Sequence, residues 1–341
     1  MPIDVLFLGG TSIDLIQDRR KEGGEFTFSA SIGGSITNSA IISAKLGLKT
    51  GLLSKLGDDY LSDFAAEFLS CCGIDIKGVI KSTGINTPLA IAKIDKSGVA
   101  RYVFYKNPPK DSIVTIKNTP KYLLDTCKVF HAGSSYSYQK ETFEETIKFI
   151  RYLKKRNVFI SYDPNIRPNS ITGKISVKNR ILKLLKLADL AKLSEVDLEY
   201  MTGHKGHEKG LSKLKKTVNC PMVLTLGAKG SIYYHPNRVP IAIGTRFIKI
   251  PAFKVKVADT IGAGDAFTAG LIYKLIKQGK TGFFSNIESN MTFASAVSAI
   301  ICTQKGSHQG LKNLKQVNSF LFNGTSLKAR KRCWLKQYNR A

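Results

Sequence analysis

The sequence predicts an α/β protein built on a mostly parallel sheet, and three observations carry that prediction. A continuous apolar run, Ile3-Asp4-Val5-Leu6-Phe7-Leu8, ends in Gly9-Gly10, as a strand buried on both faces does. From Lys128 onward, strand-like and helix-like segments alternate, as βαβ construction requires. Late in the chain, Gly262-Ala263-Gly264 stands where the helical pattern Ala266–Ile276 begins. With 341 residues, 43% of them hydrophobic, the chain has material for a sizeable core in one large domain or two.

Asp14 follows the first strand, where open α/β sheets bind ligands and where a plain turn aspartate is equally at home. Residues 19–31 are polar, with a short alternation Glu25-Phe26-Thr27-Phe28, and read as a small strand outside the main core. Gly33-Gly34-Ser35-Ile36-Thr37-Asn38 opens a helix to about Leu46-Gly47. The double glycine lets backbone approach a ligand, and Asn38 offers both donor and acceptor. Leu52–Asp59 and Cys72–Asp75 read as scaffold. Leu89–Lys93 and Arg101–Tyr105 are β-type runs around the turn Asp95-Lys96-Ser97-Gly98.

Beyond Val129-Phe130-His131, a helix is expected over about 140–155. A strand Val158–Tyr162 then ends in Asp163-Pro164-Asn165-Ile166-Arg167. The run Asp189–Asp197 leads into a helix over Leu198–Met201, with Ser194 placed as its N-cap. Met222–Gly227 is a buried strand ending in the turn Gly227-Ala228-Lys229-Gly230. A long helix, Asn286–Thr303, is rich in small residues, and Lys305-Gly306-Ser307 closes behind it.

The chemistry centres on Asp259-Thr260-Ile261-Gly262-Ala263-Gly264-Asp265-Ala266-Phe267. The first amides of a helix lack intrahelical acceptors and carry the positive end of its dipole, so Gly262, Ala263 and Gly264 form an anion cradle suited to phosphate. A carboxylate in that same turn, Asp265, would repel a phosphate unless it takes a proton from an attacking hydroxyl. Cradle and base together are a phosphoryl-transfer arrangement.

This nine-residue run resembles the D-T-x-G-A-G-D-x-F motif of the PfkB family of carbohydrate kinases, and Gly33-Gly34…Asn38 resembles the family's N-terminal sugar-binding motif. The resemblance covers roughly residues 3–312, with motifs in family order. It implies a ribokinase-like three-layer α/β/α fold, with a kinase domain over 1–324 and a small β-sheet lid from about 15–32 and 88–107; the change of composition after about Thr325 marks a basic tail over 325–341. It further implies ATP and Mg2+, with Asp265 as base and Gly262, Ala263 and Gly264 as the transition-state cradle. Asp14, Gly33, Gly34, Asn38, Phe104 and Arg167 would hold the sugar. Phe104-Tyr105-Lys106-Asn107-Pro108 resembles the F-Y-R-N-P of fructokinases, departing at Lys106. Fructose is therefore the first substrate choice, with 2-keto-3-deoxygluconate, ribose and nucleosides as alternatives, because Ser35-Ile36-Thr37 replaces the Ala-Pro-Ala common in fructokinases.

On the nucleotide side the resemblance implies roles for Lys192, Ser194, Thr225, Gly227, Gly230, Gly262 and Gly264. Asp197 would reach Mg2+ through water, and backbone oxygens of Asp259 and Ile261 would hold a monovalent cation such as K+. The lid's exposed edge suggests a homodimer formed lid to lid.

Composition excludes other classes. No Walker motif is present, and Phe267 stands where a dinucleotide fingerprint needs its third glycine. No apolar run reaches transmembrane length, and the first ten residues read as a strand rather than a signal, so a cytoplasmic protein without membrane partners is expected. Cysteines 71, 72, 127, 220, 302 and 333 form no C-x-x-C pair, in keeping with free thiols and no metal cluster. The net charge of +27 raises a competing class, a non-catalytic polyanion- or nucleic-acid-binding protein on the same fold. No nucleic-acid reader motif accompanies the charge, so nucleic acid is not the expected partner.

Overall fold

The strand pattern of the computed structural model follows from alternation. On the first strand, Leu6 and Leu8 belong to one buried cluster, while Val5 and Phe7 belong to another on the opposite side. A sheet apolar on both faces must be covered twice, and helices cover it. The structure describes residues 2–20, 26–94, 100–168, 171, 173–235 and 247–323.

Among these the strands are β1 (Val5–Leu8), β2 (Ser12–Arg20), β3 (Phe26–Gly33), β4 (Thr50–Gly57), β5 (Ile74–Ser82), β6 (Leu89–Ile94) and β7 (Ala100–Tyr105). They continue with β8 (Val129–Gly133), β9 (Phe159–Asp163), β10 (Leu190–Ser194), β11 (Met222–Thr225), β12 (Ser231–Tyr234) and β13 (Phe247–Ile250). Nine form the central sheet in the order β13-β12-β11-β10-β9-β8-β1-β4-β5. Pairing is parallel from β5 to β11 and antiparallel only at the β12 and β13 edge.

Helices α1 (Ser35–Lys45), α2 (Tyr60–Cys71), α3 (Lys121–Thr126), α4 (Ser134–Tyr138) and α5 (Lys140–Lys154) are followed by α6 (Lys174–Leu187), α7 (Glu195–Thr202) and α8 (His207–Leu214). The last two are α9 (Ala263–Ser285) and α10 (Ile287–Ile301). Residues of α1, α2, α9 and α10 pack in one apolar cluster, and residues of α3 to α8 in the other, giving three layers. Gly270 lets α9 press onto α10, since a Cβ there would come within 2.7 Å of Ala294 Cα. Helix α9 is longer than the periodicity predicted and is broken at Gly279, where φ is 66°.

The second sheet is separate, with order β3-β2-β6-β7. Its β2–β6 pair is parallel and the others antiparallel. It begins earlier than expected: the chain re-extends at Ser12 rather than near residue 15, so Asp14 lies within β2 and not in a loop past β1. The reason is local. The Thr11 hydroxyl donates to Ser54 Oγ at 2.9 Å and lies 2.8 Å from Thr37 Oγ1, pinning the turn immediately after Gly9-Gly10. The predicted turn at 95–98 and the tail at 325–341 lie outside the described residues.

Candidate active site

Helix α9 begins at Gly262, whose φ of 77° favours glycine and whose Cβ, if present, would lie 2.2 Å from the Ser307 carbonyl oxygen. That close approach sets the direction of the helix. The Ala263 amide is engaged by the Thr260 carbonyl at 3.2 Å. The cradle is thereby centred on Gly264 and Asp265, whose amides have no intrahelical acceptor.

Asp265 is 7% exposed. Its Oδ1 accepts from the Ser35 hydroxyl at 2.6 Å and its Oδ2 from the Asn38 amide at 2.9 Å. Asn38 Oδ1 in turn accepts from Ser307 Oγ at 2.9 Å. Burial raises the Asp265 pKa above the carboxylate range, while the Ser35 and Asn38 hydrogen bonds and the Lys192 charge oppose the rise. A base held this way is oriented at both oxygens and made more basic by desolvation.

Behind it lies a buried ion pair. Lys192, on β10, donates to Asp163 Oδ2 at 2.9 Å, and the side chains are 8% and 3% exposed. Asp163 ends β9, and its other oxygen accepts the Asn165 amide at 3.0 Å. Lys192 Nζ would lie 3.0 Å from a Cβ on Gly264, so a cation abuts the cradle itself. Asp197 is 1% exposed and works structurally: with Ser194 it forms the capping box of α7, and its Oδ1 accepts the Ile166 amide at 2.6 Å. Three donors occupy its carboxylate, since both the amide and the hydroxyl of Ser194 reach Oδ2 at 2.6 Å. The acceptor capacity that remains is at most a contact through water.

At the other end of the site, Asp14 is 8% exposed and accepts from Ser12 Oγ at 2.9 Å. Its carboxylate covers Gly33, where a Cβ would meet Asp14 Oδ1 at 2.0 Å. Gly34 has φ 99° and backs onto the Gly10 carbonyl oxygen, 2.3 Å from a notional Cβ. Burial, aided by the Asp265 charge, pushes Asp14 up to about 6 against the pull of Ser12, Lys106 and Arg167. Register puts Phe104 on the same lid face as Asp14, through Ala90. Lys106, exposed by area, reaches back to donate to Ser135 Oγ at 3.2 Å, with Nζ 4.5 Å from the centre of the Phe104 ring. Arg167 is exposed, and its charge is felt by both Asp14 and Lys106.

Along the sheet, Thr225 ends β11 and its hydroxyl donates to the Leu193 carbonyl at 3.3 Å. Gly227 has φ 55°, with open space where a Cβ would be, so this turn presents bare backbone; Gly230, by contrast, is fixed by packing, since a Cβ there would lie 2.0 Å from the Ile250 carbonyl oxygen. The Asp259 carboxylate straps two segments together, accepting the Ile261 amide and the Gly306 amide at 3.0 Å each. Among the described residues no group of three or more His, Cys, Asp or Glu is placed to hold a metal, and no helix is long and apolar enough to cross a membrane.

Sequence reasoning missed three contributors. Ser35 on the base was read only as part of a motif. The Lys192–Asp163 pair had a signal, because a lysine inside the apolar run Leu190-Ala191-Lys192-Leu193 must be paired if buried. Ser307 had none, since its partner Asn38 is 269 residues away.

Comparison with known proteins accords with this geometry. Residues 3–314 match the pfkB family carbohydrate kinase profile. The chain is 30% identical over 287 residues to fructokinase-1 of Zea mays, covering 84% of this chain and 86% of that protein. It superposes on a fructokinase of Vibrio cholerae O395 in a fructose-, ADP- and calcium-bound form with TM-score 0.81 at 25% identity, covering 94% and 99% of the two chains. A fructokinase of Xylella fastidiosa with bound ATP gives TM-score 0.83 at 24% identity over the same shares, a likeness of fold. The fold is ribokinase-like, and the chain belongs to the pfkB family of carbohydrate kinases, sugar kinases that act as phosphotransferases.

Proposed function

We propose that the enzyme transfers the γ-phosphoryl group of ATP to a hydroxyl of fructose. The observation that carries this reading is the buried Asp265 carboxylate at the first turn of α9, oriented by Ser35 and Asn38 beside the free amides of the cradle. Asp265 takes the acceptor's proton as its oxygen attacks. The Gly264 and Asp265 amides and Lys192 stabilise charge on the transferring group. Asp14, the backbone at Gly33 and Gly34, Asn38, Phe104 and Arg167 hold the sugar, and the second sheet acts as a lid that excludes competing water.

Nucleotide lies along the strand ends past Thr225 and over the Gly227 turn. A hydrated Mg2+, when bound, would neutralise phosphate charge; Asp197 is committed with Ser194 to the α7 capping box and would reach such an ion only through water. Backbone oxygens of Asp259 and Ile261 lie on a loop strapped to Gly306 and suit a monovalent cation. The names of the relatives favour fructose, as do Phe104 and the cation at residue 106. We place the reaction in the cytoplasm, where ATP is available.

A coupled ADP-release assay over fructose, ribose, 2-keto-3-deoxygluconate and nucleosides tests the reading. Fructose should give the largest kcat/KM, and Asp265→Asn should lower kcat at least about 10²-fold. Retained turnover in that variant removes the base assignment.

We also propose a homodimer through the lid. Phe28, Val103 and Tyr105 are 42%, 57% and 58% exposed, and the strand register puts them on the same outer face of the second sheet. Val103→Lys with Tyr105→Lys should yield a monomer by light scattering; an unchanged mass rejects this interface.

A further inference from the structure

We propose that Ser35 is itself a phosphoryl acceptor when nucleotide is bound and the sugar's place is empty. This rests on the kinase reading above and adds a self-modification that the reading does not require.

The base has one relation to offer an acceptor: a hydroxyl that donates to its carboxylate, with oxygen lone pairs left for attack. Ser35 Oγ already stands in that relation to Asp265 Oδ1, at 2.6 Å. Ser35 is only half-buried, so its oxygen is reachable. Its backbone is fixed by Gly34 against Gly10, and α1 is locked to α9 by Asn38 on Oδ2 and by Ser39 Oγ on the Asp265 carbonyl at 3.2 Å. Rotation about one side-chain bond is the freedom that remains, and it swings the hydroxyl without moving the helix.

The transfer balances without further reactants. Asp265 takes the Oγ proton, and Oγ forms a bond to the γ-phosphorus. The bond from that phosphorus to the bridging oxygen breaks, ADP leaves, and Asp265 returns its proton to solvent. Ser35 is the first residue of the eleven-residue helix α1, whose unpaired amides and dipole offset the repulsion between the new phosphate and the Asp265 carboxylate. A phosphate there also blocks the base and fills the acceptor's place, so the modified enzyme is inactive until excess ADP draws the group back. Sugar, by occupying the site, protects against it.

The test uses the full chain with Mg·ATP and no sugar, followed by peptide mass spectrometry, with sugar turnover assayed on the same preparation. Phosphate is expected at Ser35, with sugar kinase activity falling in proportion, recovery on adding ADP, and suppression by saturating fructose. Asp265→Asn should slow the modification about 10²-fold. Sugar turnover with Ser35 unmodified overturns the proposal while leaving the kinase reading intact. Modification that persists undiminished in Asp265→Asn, or under saturating fructose, also overturns it. Absence of both turnover and modification removes the kinase reading and the proposal with it.

Discussion

At the scale of single residues, the proposed site gathers carboxylates whose surroundings set them apart. Burial, the main cause, pushes the Asp14 carboxyl from its ordinary 3.8 up to about 6. A raised acid binds more protons folded than unfolded between those values. Stability therefore falls as pH rises from about 4 to about 6, and the penalty persists above that. Asp14→Asn should raise the melting temperature at pH 7, by up to about 3 kcal/mol in stability, and raise the KM for sugar. Equal loss of stability and affinity would sink this account. In the native enzyme, sugar affinity should fall as pH drops through about 6. The Lys192–Asp163 pair predicts the opposite kind of change. Lys192→Met strands a buried carboxylate and should cost about 3–5 kcal/mol in chemical denaturation. These residues differ in legibility. Asp265 could be found because its glycines precede it directly. Ser35 as its partner could not, because 230 residues separate them and only the packing of α1 on α9 joins them.

At the scale of elements, the proposed chemistry rests on the start of α9. Gly262→Ala must relieve a 2.2 Å contact with the Ser307 oxygen and adopt a left-handed φ. A loss of at least about 2 kcal/mol is expected, with kcat falling more than KM rises, because the amides of 264 and 265 shift. Wild-type kcat with a normal melting temperature would show that the close approach does not set the helix. The parallel strands were legible as short continuous apolar runs, and the long helices by apolar residues repeating at period 3.6. The lid was read less well. Its strand β2 mixes Ile13 and Leu15 with Asp14 and Gln17 and starts two residues after a glycine turn, so nothing local marked its beginning at Ser12.

At the scale of the whole molecule, topology does the gathering. Gly133, Asp163, Ser194 and Thr225 end four successive strands, so the parallel arrangement alone delivers them to one rim of the sheet. The charge of +27 is spread along the chain and denser in the tail. The tail from 325 to 341 contributes Lys328, Arg330, Lys331, Arg332, Lys336 and Arg340, and the family match stops at residue 314. Removing 325–341 should leave kcat and KM unchanged while lowering the salt needed to elute the protein from a polyanionic resin. Altered kinetics would instead tie the tail to catalysis.

Because Thr11 pins the turn after Gly9-Gly10, Asp14 rides on the second sheet and Asp265 on the main body, and a sugar held by both as proposed must grip both halves at once. Short polyols able to grasp only one half should leave the clasp ajar, and turnover should discriminate steeply by molecular length, before any preference among stereoisomers comes into play.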